Sequence, residues 1–131
     1  MVAGMNETGA TIMKNTFGWV QLGSADPKAA KEFYEHLFRW KITHQKMDGD
    51  KSYLEIDAGE GPCAGIGQGD ADKESCWIPF VSVKDIHEST GKAKDLGADI
   101  VVPIMDLGNN QGYISVFRDP TGAVLGMHSE K

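Results

Sequence analysis

The stretch FGWVQLGSADPKAAKEFYEHLF, residues 17–38, decides the fold. Asp26 has the side chain of a helix N-cap and Pro27 suits the first helical position, so a helix is predicted to begin there. Its apolar side chains recur at the spacing of one helical face: Ala30, Phe33, Tyr34 and Leu37. Before the helix, apolar and polar side chains alternate over residues 17–23, which predicts a strand. Val20 and Leu22 share one face of this strand, and Trp19 and Gln21 share the other.

The rest of the chain predicts further short strands and a second helix. From alternation and flanking turn residues, strands are predicted over residues 40–45, 51–57, 63–68, 76–83, 100–102, 113–118 and 123–128. Tight turns are predicted at residues 47–50 and 119–122. Asp85, with Glu88 three residues later, has the pattern of a capping box, and Gly97 follows the last apolar residue of the helix that it starts.

The predicted elements occur twice in the same order. A shift of 59 residues, from position 26 to position 85, superposes matching residues of the two halves: Trp19 on Ile78, Leu22 on Val81, Asp26 on Asp85 and Leu37 on Leu96. We therefore predict an α+β fold of two βαβββ modules that pair into an open, trough-like mixed sheet with the helices on its outer face. Residues 1–15 are interpreted as an N-terminal tail or extra edge segment. Residues 16–131 are interpreted as one domain, with module one at about 16–69 and module two at about 75–129.

Composition limits the partners that we expect. Lys and Arg number 13 against 19 Asp and Glu, and the resulting net charge of −6 argues against nucleic-acid binding. The chain has no long apolar run, so no membrane partner is expected. Its N-terminus lacks the basic start and apolar core of a secretory signal, which favours a cytoplasmic location. Cys63 and Cys76 are expected to be free thiols.

Five segments together resemble the glyoxalase/bleomycin-resistance/extradiol-dioxygenase superfamily, also called the vicinal oxygen chelate proteins, and within it the short glyoxalase-like proteins. The segments are WVQLGSAD (19–26), AKEFYEHLF (30–38), residues 77–85, LGA (96–98) and FRDPTGAV (117–124). The resemblance implies paired βαβββ modules. It also implies several alternative chemistries, among them isomerisation of glutathione adducts, ring cleavage by iron, epimerisation, antibiotic modification and drug sequestration, and fold membership does not choose among these.

The positions that hold metal ligands in the metal-dependent members are filled differently here. Those members take His, Glu or Gln ligands from the first and last strands of each module, residue types that suit divalent metals. The resemblance places the corresponding positions on Trp19, Ile78 and Gly126, with the fourth within residues 65–67. None of these side chains can ligate a metal, so we expect no metal and no cofactor. No catalytic residue is assigned.

Aromatic and polar side chains are instead predicted to line the trough as a ligand-binding surface. The predicted binding residues are Trp19, Gln21, Tyr53, Ile78, Phe80, Tyr113, Phe117 and His128. Trp19 and Phe80 offer flat apolar surface to a planar ligand, and the Gln21 amide can orient it. The alternative that these aromatic side chains only fill the trough as a core stays open.

The resemblance and the site positions together favour one function over another. The favoured interpretation is a glyoxalase/bleomycin-resistance-like small-molecule-binding protein that lacks the family metal site and holds an apolar or aromatic ligand. The alternative is a metal-dependent or metal-free lyase, isomerase or hydroxylase of the same superfamily, similar to lactoylglutathione lyase. Because members of the superfamily often pair, a homodimer is left open.

Overall fold

The computed structural model describes residues 14–46, 52–70 and 73–131. Most of the predicted N-terminal tail and the predicted turn at residues 47–50 lie outside this range. The elements in chain order are β1 (Phe17–Ser24), α1 (Pro27–Leu37), β2 (Lys41–Lys46), β3 (Ser52–Asp57), β4 (Pro62–Gln68), β5 (Cys76–Ser82), α2 (Ile86–Asp95), β6 (Asp99–Asp106), β7 (Tyr113–Arg118) and β8 (Val124–Ser129). Two successive βαβββ modules are therefore present, and the predicted α+β class is confirmed.

The contacts within the chain divide it into two compact units. The first unit is Gly18–Phe80, and the second contains Val81–Lys131 together with the described residues up to Phe17. The N-terminal residues join the second unit through backbone and side-chain hydrogen bonds: Ser82 N donates to Thr16 O, and Asn15 Nδ2 donates to Ser82 O.

The first unit has a mixed sheet in the order β2-β3-β4-β1-β5. β1 runs parallel to β4, with Gln21 opposite Gly65, whereas β3 is antiparallel to both β2 and β4. Its core is apolar and consists of Leu22, Ile42, Leu54, Ile56, Ala64 and Ile66.

Helix α1 covers one face of this sheet with only part of its predicted apolar stripe. Asp26 caps the helix as predicted, since its side chain accepts a hydrogen bond from Ala29 N. Tyr34 packs against the core, but Phe33 and Leu37 are 59% and 55% exposed. The stripe therefore packs against the core through Ala30 and Tyr34, and its two outer members remain exposed.

The second unit has an antiparallel sheet in the order β8-β7-β6, with α2 packed against it. The buried residues of its core are Val83, Ile86 and Met127. The Thr90 and Ser115 hydroxyls, which are buried, lie 2.8 Å apart and link α2 to β7. The Asp85 side chain caps α2 by accepting hydrogen bonds from the backbone amides of His87 and Glu88.

Two chain reversals in the second unit follow the predicted turn chemistry. Gly97 has φ of +103° directly after the C-cap of α2, a conformation that glycine adopts without steric cost. The Asp119 carboxylate accepts hydrogen bonds from the Thr121 amide and hydroxyl and from the Ala123 amide, which lowers the pKa of Asp119. These bonds close the predicted turn between β7 and β8.

Strand β6 is longer than predicted. It spans Asp99–Asp106 rather than residues 100–102, and it continues through Pro103. β6 is the last strand of its sheet and pairs with β7 with register shifts between Ile100 and Met105. An edge strand with such irregularities tolerates a residue that has no amide hydrogen. β6 therefore continues through Pro103, whereas the predicted strand ended at residue 102.

No helix in the described parts of the chain is long and apolar enough to cross a membrane. Cys63 and Cys76 are free and exposed, as predicted.

Candidate functional site

In the first unit, the sheet face opposite α1 carries the aromatic and polar side chains of β1 and β3. Successive strand residues point to opposite faces, and Leu22 and Leu54 belong to the core that α1 covers. Trp19, Gln21 and Tyr53 therefore lie on the other face, where all three are half-buried. We call the surface formed by these three residues the Trp19 face.

The three side chains of the Trp19 face form a closed hydrogen-bonded triangle. Trp19 Nε1 donates to the Tyr53 hydroxyl at 3.0 Å and to Gln21 Oε1 at 3.1 Å, and the Tyr53 hydroxyl donates to Gln21 Oε1 at 2.5 Å. The Trp19 and Tyr53 rings stack with their centroids 6.5 Å apart and their planes at 23°. The triangle links β1 to β3 across β4, which lies between them.

The triangle fixes the orientation of the Gln21 amide. An indole N–H can only donate, so the Gln21 atom that faces Trp19 is the oxygen. The Gln21 nitrogen is therefore turned away from both partners, and the hydrogen bonds that this side chain makes to the described residues run through its oxygen. This nitrogen is the one group of the triangle with donors free for a ligand.

Two glycines of β4 make room for the triangle. A Cβ on Gly65 would overlap the Tyr53 hydroxyl, and a Cβ on Gly67 would lie 2.9 Å from Gln21 Nε2. Tyr53 thus lies across the backbone of Gly65 to reach β1. Sequence reasoning placed the family's fourth metal position within residues 65–67 and did not connect these glycines with Tyr53 or Gln21, although glycine inside a strand is itself a signal of close approach by another group.

Burial raises the pKa of Tyr53, which is neutral at ordinary pH. Loss of solvation raises the pKa of Tyr53 to about 12, the hydrogen bond from Trp19 lowers it, and the negative charge of Glu55 raises it. With a neutral phenol, a neutral amide and an indole, the triangle carries no charge, which suits an apolar ligand better than an ionic one.

The predicted site residues of β5, Ile78 and Phe80, also belong to the first unit. Trp77 Nε1 donates to the hydroxyl of Tyr34, a residue of α1, so Trp77 lies on the α1 side of the sheet. By alternation Ile78 and Phe80 lie on the opposite side, the side of the Trp19 face. Phe80 is 7% exposed and Ile78 is half-buried.

In the second unit, two of the predicted binding residues lie against the helix. Ser115 bonds to Thr90 of α2, and Tyr113 and Phe117 share its strand face and pack against the α2 core. The prediction that Tyr113 and Phe117 face away from the helices is therefore wrong. Their strand alternates as expected, but the parity was assigned to the wrong side.

His128 lies on the sheet face of the second unit that α2 does not cover. Its neighbour Met127 belongs to the α2 core, and His128 therefore points the other way. His128 Nε2 lies 2.7 Å from the carbonyl oxygen of Gln111. The ring also lies beside Gly112, where a Cβ would come within 2.8 Å of His128 Nε2.

The residues at the family's metal positions do not fit a metal. Trp19 uses its indole nitrogen as a hydrogen-bond donor, and Ile78, Gly126 and residues 65–67 offer no ligating side chain. Across residues 14–46, 52–70 and 73–131, no group of three or more His, Cys, Asp or Glu side chains is placed to hold a metal ion.

Comparison with known proteins gives a family and its relatives. The sequence pattern described as the Glyoxalase/Bleomycin resistance protein/Dioxygenase superfamily matches residues 16–127. "Putative glyoxylase CFP32" of Mycobacterium bovis is 29% identical over 122 residues, a match that covers 87% of this chain and 45% of the relative. "Anthracycline biosynthesis protein DauV" of Streptomyces sp. strain C5 is 26% identical over 122 residues, covering 82% of this chain and 44% of the relative. The chain thus spans a little under half the length of these relatives.

A solved structure agrees at the level of the fold. The hypothetical protein BH1468 of Bacillus halodurans C-125 matches with a TM-score of 0.65 at 13% identity, over 91% of this chain and 96% of that protein.

Proposed function

This chain belongs to the Glyoxalase/Bleomycin resistance protein/Dioxygenase superfamily, and we propose that it binds a small apolar or aromatic molecule on the Trp19 face, without the metal site of the metal-dependent members. The observation that carries the proposal is the triangle of Trp19, Gln21 and Tyr53, which holds an indole ring in place beside one oriented amide. A rigid aromatic surface next to a single polar group is the arrangement that orients a planar ligand.

The chemistry of the triangle supports recognition rather than proton transfer. A general acid or base works best with a pKa near the operating pH. The pKa of Tyr53 is raised to about 12, and neither indole nor amide exchanges a proton usefully near neutrality. The relative named for anthracycline biosynthesis is consistent with the proposed ligand class, because anthracyclines contain a flat polycyclic ring system.

Equilibrium dialysis against fluorene, a planar tricyclic hydrocarbon, tests the proposal. Trp19→Ala should weaken binding by about fivefold through the lost stacking alone, which contributes on the order of 1 kcal/mol, and further through the apolar area that the ring no longer buries. Trp77→Ala is the matched control, because Trp77 is the exposed tryptophan on the α1 side of the same unit. Equal loss of binding in both variants would contradict the proposal, as would failure of the wild-type protein to bind either fluorene or its ketone, 9-fluorenone.

The alternative is a lyase or isomerase of the same superfamily, and Glu55 is the observation that favours it. Glu55 is a half-buried carboxylate on β3 that shares the sheet side of Tyr53 and lies opposite Gly65. A carboxylate there can serve as a general base without a metal. Turnover of the methylglyoxal–glutathione adduct that is abolished by Glu55→Gln would establish this alternative, and absence of turnover in the wild type would reject it for that substrate.

Two further proposals concern assembly and location. We propose a homodimer, because members of this superfamily often pair. Light scattering should then give twice the chain mass of 14.2 kDa, and the single mass would contradict the proposed homodimer.

We propose a cytoplasmic location from the two exposed free thiols, which suit a reducing compartment.

A further inference from the structure

The polar part of the Trp19 face is a fixed hydrogen-bond donor. Gln21 Oε1 accepts from both Trp19 Nε1 and the Tyr53 hydroxyl, and rotating the amide by half a turn would place its nitrogen against the indole N–H, which can only donate. The two Nε2 hydrogens are therefore held in one direction. The Gln21 nitrogen lies above Gly67, where a Cβ would come within 2.9 Å of it.

We propose that the Gln21 amide nitrogen is the specificity-determining group of this site and that it selects planar ligands carrying a carbonyl-type acceptor, such as a ketone or quinone oxygen. This inference rests on the proposed binding of a small apolar or aromatic molecule to the Trp19 face. It names the ligand class more narrowly, because it requires a flat ring system that bears an oxygen acceptor.

Desolvation supplies the selectivity. A hydrocarbon that covers the Trp19 face removes water from the Gln21 nitrogen and offers no hydrogen-bond acceptor in its place, which lowers the affinity of the hydrocarbon. A ketone in the same place restores the lost hydrogen bond. Because an uncharged hydrogen bond changes affinity by several-fold, we expect a ketone to bind about 3- to 10-fold more tightly than the hydrocarbon of the same shape.

The test compares 9-fluorenone with fluorene, which differ by one carbonyl group. The dissociation constant of each probe is measured by equilibrium dialysis with the wild-type protein and with Gln21→Glu. The Glu side chain still accepts from Trp19 and Tyr53 but has no N–H to donate, so the triangle is retained while the donor is lost. We expect Gln21→Glu to lose the preference for fluorenone and to keep binding fluorene.

Two controls separate the donor from other effects. Gln45 is an exposed residue of β2 that pairs with Tyr53, so Gln45→Glu adds the same charge on the same sheet face without removing the donor and should leave the preference unchanged. Gln21→Leu removes the donor without adding charge and should abolish the preference as well. In a nitrogen-15 spectrum, the side-chain NH₂ signals of Gln21 should shift on addition of fluorenone and not on addition of fluorene, a response that a purely structural role would not give.

The outcomes are distinguishable. Equal affinity of the wild type for the two probes, or a preference that survives in Gln21→Glu, overturns the inference and leaves the proposed function standing. Failure of both probes to bind contradicts the proposed function, and the inference falls with it. Tighter binding of fluorenone that depends on Gln21 supports both.

Discussion

Alanine at Gly65 should destabilise this protein, and the structure gives the size of the effect. A Cβ at this position would overlap the Tyr53 hydroxyl, so Tyr53 must leave its place across β4. Overpacking of a buried position costs about 1–3 kcal/mol. Displacing Tyr53 also removes its two hydrogen bonds in the triangle, at about 0.5–1.5 kcal/mol each. The lower entropy of the unfolded alanine chain returns about 0.4–1 kcal/mol. We expect a net loss of about 1–6 kcal/mol of unfolding free energy, with a midpoint near 3 kcal/mol.

Urea denaturation followed by circular dichroism measures this loss, and Gly91→Ala is the matched control. Gly91 lies within α2 with open space where its Cβ would be, so alanine there should stabilise the protein by about 0.5–1 kcal/mol through helix propensity. The same substitution is thus predicted to have opposite signs at the two sites.

A double mutant tests the assigned cause. In a Tyr53→Ala background the obstructing ring is gone, so Gly65→Ala should be close to neutral, which is a strong departure from additivity. An equal cost of Gly65→Ala with and without the Tyr53 ring would refute the reasoning, because the loss would then have another origin than this contact.

Two further predictions concern pH and buried hydroxyls. Because the pKa of Tyr53 is raised to about 12 from 10.0, its contribution to stability is present below pH 10 and is lost as the pH rises toward 12. The stability difference between wild type and Tyr53→Phe should shrink by about 2 kcal/mol over that interval in urea titrations, and a constant difference would argue against a buried phenol. Thr90→Val should cost about 1–3 kcal/mol by leaving the Ser115 hydroxyl buried without its partner. The double change Thr90→Val with Ser115→Ala should recover part of that loss, and no recovery would show that the two hydroxyls are not coupled.

The helix starts and the order of elements could be predicted from local chemistry. Asp26 and Asp85 cap their helices as their sequence contexts predict, and Gly97 ends the second helix with a positive φ. These signals depend on residues close together in the chain, which is why a single sequence carries them. The extent of β6 was missed because Pro103 argues against a strand unless the strand is known to be an edge.

The site was only partly predictable, for a reason of register. Alternation placed Trp19 and Gln21 on one face correctly, because Val20 and Leu22 are clearly apolar. Strand β7 gives no such guide, since both of its faces carry apolar side chains, and Phe117 was assigned to the wrong one.

The meeting of Tyr53 with Gln21 depends on β3 and β1 flanking β4, and on glycine at position 65 between them. Pairing between strands this far apart in sequence follows from the tertiary fold and is not encoded in any local pattern.

The most direct test of the central claim is to locate a bound planar ligand among the three tryptophans. In a nitrogen-15 spectrum the indole N–H signals of Trp19, Trp40 and Trp77 can be assigned by single substitution and followed during addition of 9-fluorenone. A ligand on the Trp19 face should shift the Trp19 signal and leave the other two in place, because Trp40 and Trp77 lie together on the α1 side of the sheet. Shifts confined to Trp40 and Trp77, or no shift at all, would contradict the account.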